Sequence, residues 1–259
     1  MDLGRFETSL DVRDIGTSLT FYQALGFRCV NGAVEIRTVT LRRGDCRLCL
    51  YQGYLQPART QLIFWQGDVL SIARDLIGKG LSFEAGHPRT ADDGGASAML
   101  IDPDGHPIYF ITMPVNFPND PAYTHKSPPY RPRRLKPDKR LGWFELSLDV
   151  ADVERSVAFY GKLGFRPVGT NDEGPGATLQ NADCRIALCR GGLGPARARL
   201  TLRQGDIEAI GQNLLLEGLS FEEGPAQAEG AVASKRLKDP DGIPILFVNT
   251  PGMVRREPT

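Results

Sequence analysis

Moved along itself by 138 residues, the sequence repeats. Phe6-Glu7-Thr8-Ser9-Leu10-Asp11-Val12 falls on Phe144-Glu145-Leu146-Ser147-Leu148-Asp149-Val150. Phe21-Tyr22 falls on Phe159-Tyr160, and Leu25-Gly26-Phe27-Arg28 on Leu163-Gly164-Phe165-Arg166. Between positions 6 and 28, 14 of 23 residues equal their partners. The offset holds through Asp45-Cys46-Arg47 against Asp183-Cys184-Arg185, and through Gly80 to Glu84 against Gly218 to Glu222. One residue is then lost, and Asp102-Pro103-Asp104-Gly105 meets Asp239-Pro240-Asp241-Gly242. This is a duplicated domain of about 110 residues, long enough for each copy to bury a core of its own. The repeat predicts domains at 1–113 and 141–252, a linker at 114–140 and a tail at 253–259. The linker holds seven prolines and seven Lys or Arg. Proline removes backbone donors and stiffens the chain, so an extended connector is expected there.

Within one copy the hydrophobic period switches between two and 3.6. Phe6 to Val12 alternates as a strand; Asp14 can cap a helix carrying Ile15, Leu19 and Tyr22, which Gly26 ends. Strands are predicted near 26–31, 34–42 and 46–52. The pattern then recurs: a strand at 61–66, a helix from Asp68 to about Gly78, and strands near 81–86, 96–101 and 107–112. Each copy is thus strand-helix-strand-strand-strand, done twice, an α+β class. Parity places Leu10 and Val12 on the face toward the helix, with Glu7, Ser9 and Asp11 opposite. The second copy repeats Glu145, Ser147 and Asp149 there. On the fourth strand Cys46, Leu48 and Leu50 form the apolar face, and Arg47, Cys49 and Tyr51 the other; Arg185 repeats Arg47.

These features together resemble the vicinal oxygen chelate superfamily. They are the opening strand, the helix ending in Phe-Tyr, Leu-Gly-Phe, and the late Asp-Pro-Asp-Gly before a final strand. The superfamily includes glyoxalases, extradiol dioxygenases, fosfomycin-resistance enzymes and bleomycin-binding proteins. The resemblance covers both copies and implies two tandem modules, each a pair of βαβββ units forming a curved, cup-shaped sheet. It also implies where a metal would be held: early on strand one, at the start of strand five and on strand eight. Those positions map to Glu7 and Glu145, to Leu62 and Leu200, and to Tyr109 and Leu246. A catalytic divalent ion needs about three N or O ligands with one position open. One carboxylate per cup does not meet that need, so no metal and no other cofactor is expected. His106, in Asp-Gly-His-Pro, is expected as a turn residue, and His87 and His125 lie in a loop and the linker.

Glu7 and Arg47, and likewise Glu145 and Arg185, are expected as an ion pair where relatives keep a metal. The pair either neutralises two partly enclosed charges or offers Arg to a ligand's carboxylate. The remaining cup-lining candidates are Ser9, Tyr51, Leu62, Phe64, Tyr109, Ser147, Leu200, Leu202 and Leu246. They either line a ligand site or pack the two modules together. The leading expectation is metal-independent binding of a small apolar or aromatic molecule. The alternatives are a lyase, isomerase or dioxygenase with noncanonical metal or metal-free chemistry, and a degenerate scaffold module. Assembly is expected as an intrachain pseudo-dimer of modules, with a homodimer as a further level the fold allows.

The formal net charge is zero, so no field gathers nucleic acid or an anionic membrane. The start, MDLGRFETSLDV, lacks an apolar stretch, and a cytoplasmic protein is expected. The five cysteines are odd in number, and Cys46-Arg47-Leu48-Cys49 lies in an apolar run. Core thiols are expected there rather than a disulfide framework or a metal site.

Overall fold

In the computed structural model of the chain, residues 1–53, 55, 60–113, 138, 141–170, 176–193, 197–222 and 233–249 are described. The expected tail, and the expected linker apart from Asp138, lie outside them. The first copy runs β1 (Arg5–Val12), α1 (Ile15–Ala24), β2 (Arg28–Ala33), β3 (Thr38–Arg43), β4 (Cys46–Gln52), β5 (Thr60–Trp65), α2 (Val69–Gly78), β6 (Arg89–Thr90), β7 (Ala96–Ile101) and β8 (Pro107–Thr112). The second runs β9 (Trp143–Val150), α3 (Val153–Lys162), β10 (Arg166–Thr170), β11 (Gly176–Asn181), β12 (Cys184–Arg190), β13 (Ala198–Arg203), α4 (Ile207–Leu216), β14 (Ala233–Lys238) and β15 (Pro244–Asn249).

Each copy forms one open mixed sheet, in the orders β2-β3-β4-β1-β5-β8-β7-β6 and β10-β11-β12-β9-β13-β15-β14. The α+β class and the paired tandem modules expected from the sequence are both present. At the centre of each sheet the first strand pairs parallel to the fourth and antiparallel to the fifth. One expectation fails. No strand forms at 81–86, where Glu84, Ala85 and Gly86 are exposed and turn; the edge is instead the two-residue β6. Alternation alone cannot tell a strand from a loop that drops one apolar side chain, here Phe83, into the core.

All four helices among the described residues start at an aspartate. Asp14, Asp68, Asp152 and Asp206 accept from the amides of Thr17, Ser71, Arg155 and Ala209, satisfying donors the first turn leaves open. Gly4 and Gly142 lie just ahead of β1 and β9 at φ of 94° and 76°. A side chain at either would strike the backbone at Trp65 or Arg203, so glycine lets the first strand enter tight against the end of the fifth.

One apolar cluster runs through both copies and contains Leu10, Tyr22, Phe64, Phe110, Tyr160, Leu188 and Phe247. The Phe64 and Phe165 rings meet edge to face at 6.5 Å between centroids, joining the copies. Polar bonds cross at the same place. The Tyr22 hydroxyl donates to Asp239 Oδ2 at 2.9 Å, and the Ser18 hydroxyl to Asp241 Oδ2 at 2.8 Å. In the other direction Tyr160 donates to Asp102 Oδ2 at 3.0 Å and Ser156 to Asp104 Oδ2 at 2.8 Å. Arg13 and Arg155 flank these contacts, pairing with Asp241 at 3.1 Å and with Asp104 at 3.0 Å. Each Asp-Pro-Asp-Gly turn is therefore clasped by the first helix of the opposite copy. His106 lies in one of these turns, as expected, with its Nε2 2.8 Å from the Asp149 carbonyl oxygen.

Burial raises the Asp239 carboxyl above its ordinary range, and burial next to that carboxylate pushes the Tyr22 phenol well up. Tyr22 thus remains a donor. Removing the hydroxyl strips the carboxylate of a partner it cannot replace with water. Tyr22→Phe is expected to cost about 1–3 kcal/mol, and Tyr160→Phe a similar amount. The urea midpoint of each variant checks this; an unchanged midpoint shows that the bond does not hold the copies together.

Candidate functional site

Strand register decides which residues share the face away from the helices. In the first sheet Glu7 lies opposite Ile63, and Ile63 beside Tyr109, giving one row across β1, β5 and β8. In the second the matching row is Glu145, Thr201 and Leu246. Ser9 and Ser147 are on the same faces, next to Gln61 and Arg199 on one side and Cys49 and Ala187 on the other. Arg47, Tyr51 and Arg185 also keep to this face.

Four expected lining residues do not. Leu62 and Phe64 pair with Thr8 and Phe6, and Leu200 and Leu202 with Leu146 and Phe144. All four belong to the apolar core behind the sheets. A strand's faces alternate every residue, so setting strand five one position off turned the whole set around. The residues it hides are Gln61, Ile63 and Trp65 in one copy, and Arg199, Thr201 and Arg203 in the other. The signals that could have found them were the alternation Arg199-Leu200-Thr201-Leu202-Arg203 in the second copy and the antiparallel pairing with β1 in the first.

The two faces differ in charge at equivalent positions. In the first, Glu7 is 1% exposed and its Oε1 accepts from the Trp65 indole N–H at 2.9 Å. In the second, Glu145 is fully buried. Its Oε2 accepts from Arg185 Nε at 3.1 Å and its Oε1 from Arg203 Nε at 2.9 Å. The ion pair expected between Glu145 and Arg185 is thus present, with a second arginine that the sequence reading missed. Arg185 also lies over the Trp143 ring, 5.6 Å from its centroid. Arg199 Nε donates to Thr201 Oγ1 at 3.3 Å, and that hydroxyl lies 2.7 Å from Ser147 Oγ. Arg199 and Arg203 are 8% and 2% exposed. Thr178, on the same face through its pairing with Ala187, is fully buried, and its hydroxyl has no partner among the described residues. A buried hydroxyl left so costs about 1–3 kcal/mol, which suits a place for a polar ligand atom.

The ligand set implied by the resemblance does not assemble. With the register corrected, the strand-five and strand-eight positions beside the glutamates are Ile63 and Tyr109, and Thr201 and Leu246. Among the described residues no group of three His, Cys, Asp or Glu could hold an ion. Both oxygens of Glu145 already face guanidinium groups. The buried thiols offer no substitute, since burial pushes Cys46, Cys49 and Cys184 up, away from the thiolate form.

No family model matches the chain, and no curated protein matches it. Solved structures do. A catechol 2,3-dioxygenase shares 17% identity over 98% of this chain and 95% of its own, with a TM-score of 0.59. Homoprotocatechuate 2,3-dioxygenase from Brevibacterium fuscum shares 21% over 95% of this chain and 70% of its own, at 0.57. The 2,2',3-trihydroxybiphenyl 1,2-dioxygenase of Sphingomonas wittichii strain RW1 shares 16% over 96% and 90%, at 0.57. At such identity what is shared is the fold. These neighbours overturn the expectation of a metal-independent binding protein: structures that match the chain end to end are dioxygenases, and they favour the enzymatic alternative.

Taking one member from a buried ion cluster leaves the others uncompensated. Glu145→Leu is expected to destabilise the protein by about 3–5 kcal/mol, read from its denaturant midpoint. A cost below about 1 kcal/mol contradicts the pairing of Glu145 with Arg185 and Arg203.

Proposed function

We propose that this protein, a tandem chain of the vicinal oxygen chelate fold, is an enzyme of the dioxygenase kind acting on a small ring-bearing anion at the second sheet. The observation that carries the reading is the pairing of Arg185 and Arg203 with Glu145, with Arg199 on the same face beside Ser147, on a chain matched over 95–98% of its length by dioxygenases. The first sheet has Gln61 and Trp65 where the second has Arg199 and Arg203.

Arg199 and Arg203 can donate N–H groups to a substrate carboxylate or phenolate, and the Thr178 hydroxyl can add another bond. Such charge-assisted bonds are strong where water is kept out. Glu145 keeps Arg185 and Arg203 aimed, so that little reorganisation is needed when the anion arrives. Trp143 and Leu246 give the ring an apolar surface. The described residues do not make up the family's ligand set. A cytoplasmic location fits the four buried cysteines, which form no disulfide. No helix among the described residues is long and apolar enough to cross a membrane.

An oxygen electrode with the protein as isolated tests the reading, with catechol and homoprotocatechuate as substrates. Oxygen uptake is expected, faster with homoprotocatechuate because it carries a carboxylate. Arg199→Met is expected to lower kcat/KM by about 10–100-fold, the loss of one charge-assisted bond. No uptake with either compound overturns the dioxygenase reading.

A further inference from the structure

We infer a second small-molecule site, on the first module, that takes a zwitterion of α-amino-acid type with an apolar side chain. A cavity of about 350 Å³ opens there, lined by Glu84, His87, Arg89, Ser97, Met99 and Tyr109 among others. It is large enough for a small ligand.

The strand register builds its floor. Met99 lies opposite Tyr109 across β7 and β8, so a thioether and a phenol ring lie side by side. Such a pair suits an apolar or aromatic side chain. Two opposite charges flank that floor. Glu84 is clamped beside Met99 by a bond from its amide to the Met99 carbonyl at 3.0 Å. Arg89 pairs with Ser97 on the same strand. Residues 97 and 99 share a face about 7 Å apart, so both charged side chains reach the small gap between an ammonium and a carboxylate. Glu84 then accepts from the ammonium, while Arg89 and His87 donate to the carboxylate. The side chains of Glu84, His87 and Arg89 are exposed at the mouth. Burial raises the Tyr109 phenol, which keeps it a donor facing the cavity.

The second copy provides an internal control. It keeps the clamp, with the Glu222 amide donating to the Arg236 carbonyl at 2.8 Å. Yet the repeat replaces His87, Arg89, Met99 and Tyr109 with Pro225, Gln227, Arg236 and Leu246. The frame, with Glu84 and Ser97 kept as Glu222 and Ser234, is common to both copies, and His87, Arg89, Met99 and Tyr109 belong to the first alone.

Titration calorimetry of the whole protein tests the site with L-phenylalanine and L-methionine. Phenylacetate and 2-phenylethylamine, each lacking one of the two charges, are the controls. One amino acid is expected to bind per chain, with the controls at least tenfold weaker. Arg89→Met and Glu84→Gln should each weaken binding at least tenfold at unchanged melting temperature, because both residues are exposed. Arg199→Met, in the other module, should leave it unchanged, which separates this site from the proposed active site. No heat with either amino acid, or binding that survives both first-module substitutions, overturns the inference.

Discussion

The bond from a buried tyrosine of one copy to a buried aspartate of the other is what the architecture depends on. It occurs twice, as Tyr22 to Asp239 and Tyr160 to Asp102. Each aspartate uses its second oxygen to close its own turn. Asp102 Oδ1 accepts from the amides of Asp104 and His106, and Asp239 Oδ1 from those of Asp241 and Ile243. Turn and interface are therefore one constraint. A turn that loosens releases the partner helix, and a helix that shifts leaves a carboxylate buried without its donor. The duplicated sequence meets this demand economically, because one pair of motifs placed twice satisfies both sides of a pseudo-twofold contact.

With the helical faces spent on this contact, the opposite faces are left to function. There the copies diverge. Both keep a buried glutamate in the middle of the first strand, but the neighbours on strand five differ. Trp65 gives Glu7 a neutral indole donor, whereas Arg203, with Arg185, gives Glu145 two guanidinium groups. The first face is thereby left with a mixed-charge cavity at its edge, and the second with a dense cationic centre. One scaffold carries two chemistries by exchanging residues at fixed register positions, which is why a shared fold alone does not identify the reaction.

Much of the fold was legible because it rests on local rules. The repeat fixed the number of modules, aspartate caps marked the helix starts, and alternation on the first and fourth strands sorted Glu7, Ser9, Arg47 and Tyr51 correctly. Strand five was not legible in the same way. Gln61 to Trp65 carries large apolar residues at both parities, with Leu62 and Phe64 on one and Ile63 and Trp65 on the other. Both faces of that strand are buried in both copies, so polarity marks no solvent side, although Arg199-Leu200-Thr201-Leu202-Arg203 does alternate; pairing with β1 and β9 sets the face. Leu62, Phe64, Leu200 and Leu202 were misplaced for that reason, and Arg199 and Arg203 were missed with them. The partners of Tyr22 and Tyr160 lie 217 and 58 positions away, respectively. No short-range pattern could have linked them, although the Phe-Tyr and Asp-Pro-Asp-Gly motifs both stood out in the repeat.

If the reciprocal clasp governs the molecule, neither copy has a stability of its own to report. Differential scanning calorimetry of the intact chain measures this directly. A single transition is predicted, with its calorimetric enthalpy equal to the van't Hoff enthalpy for unfolding of the whole protein. Two resolved transitions, each accounting for about half of the heat, would contradict the account.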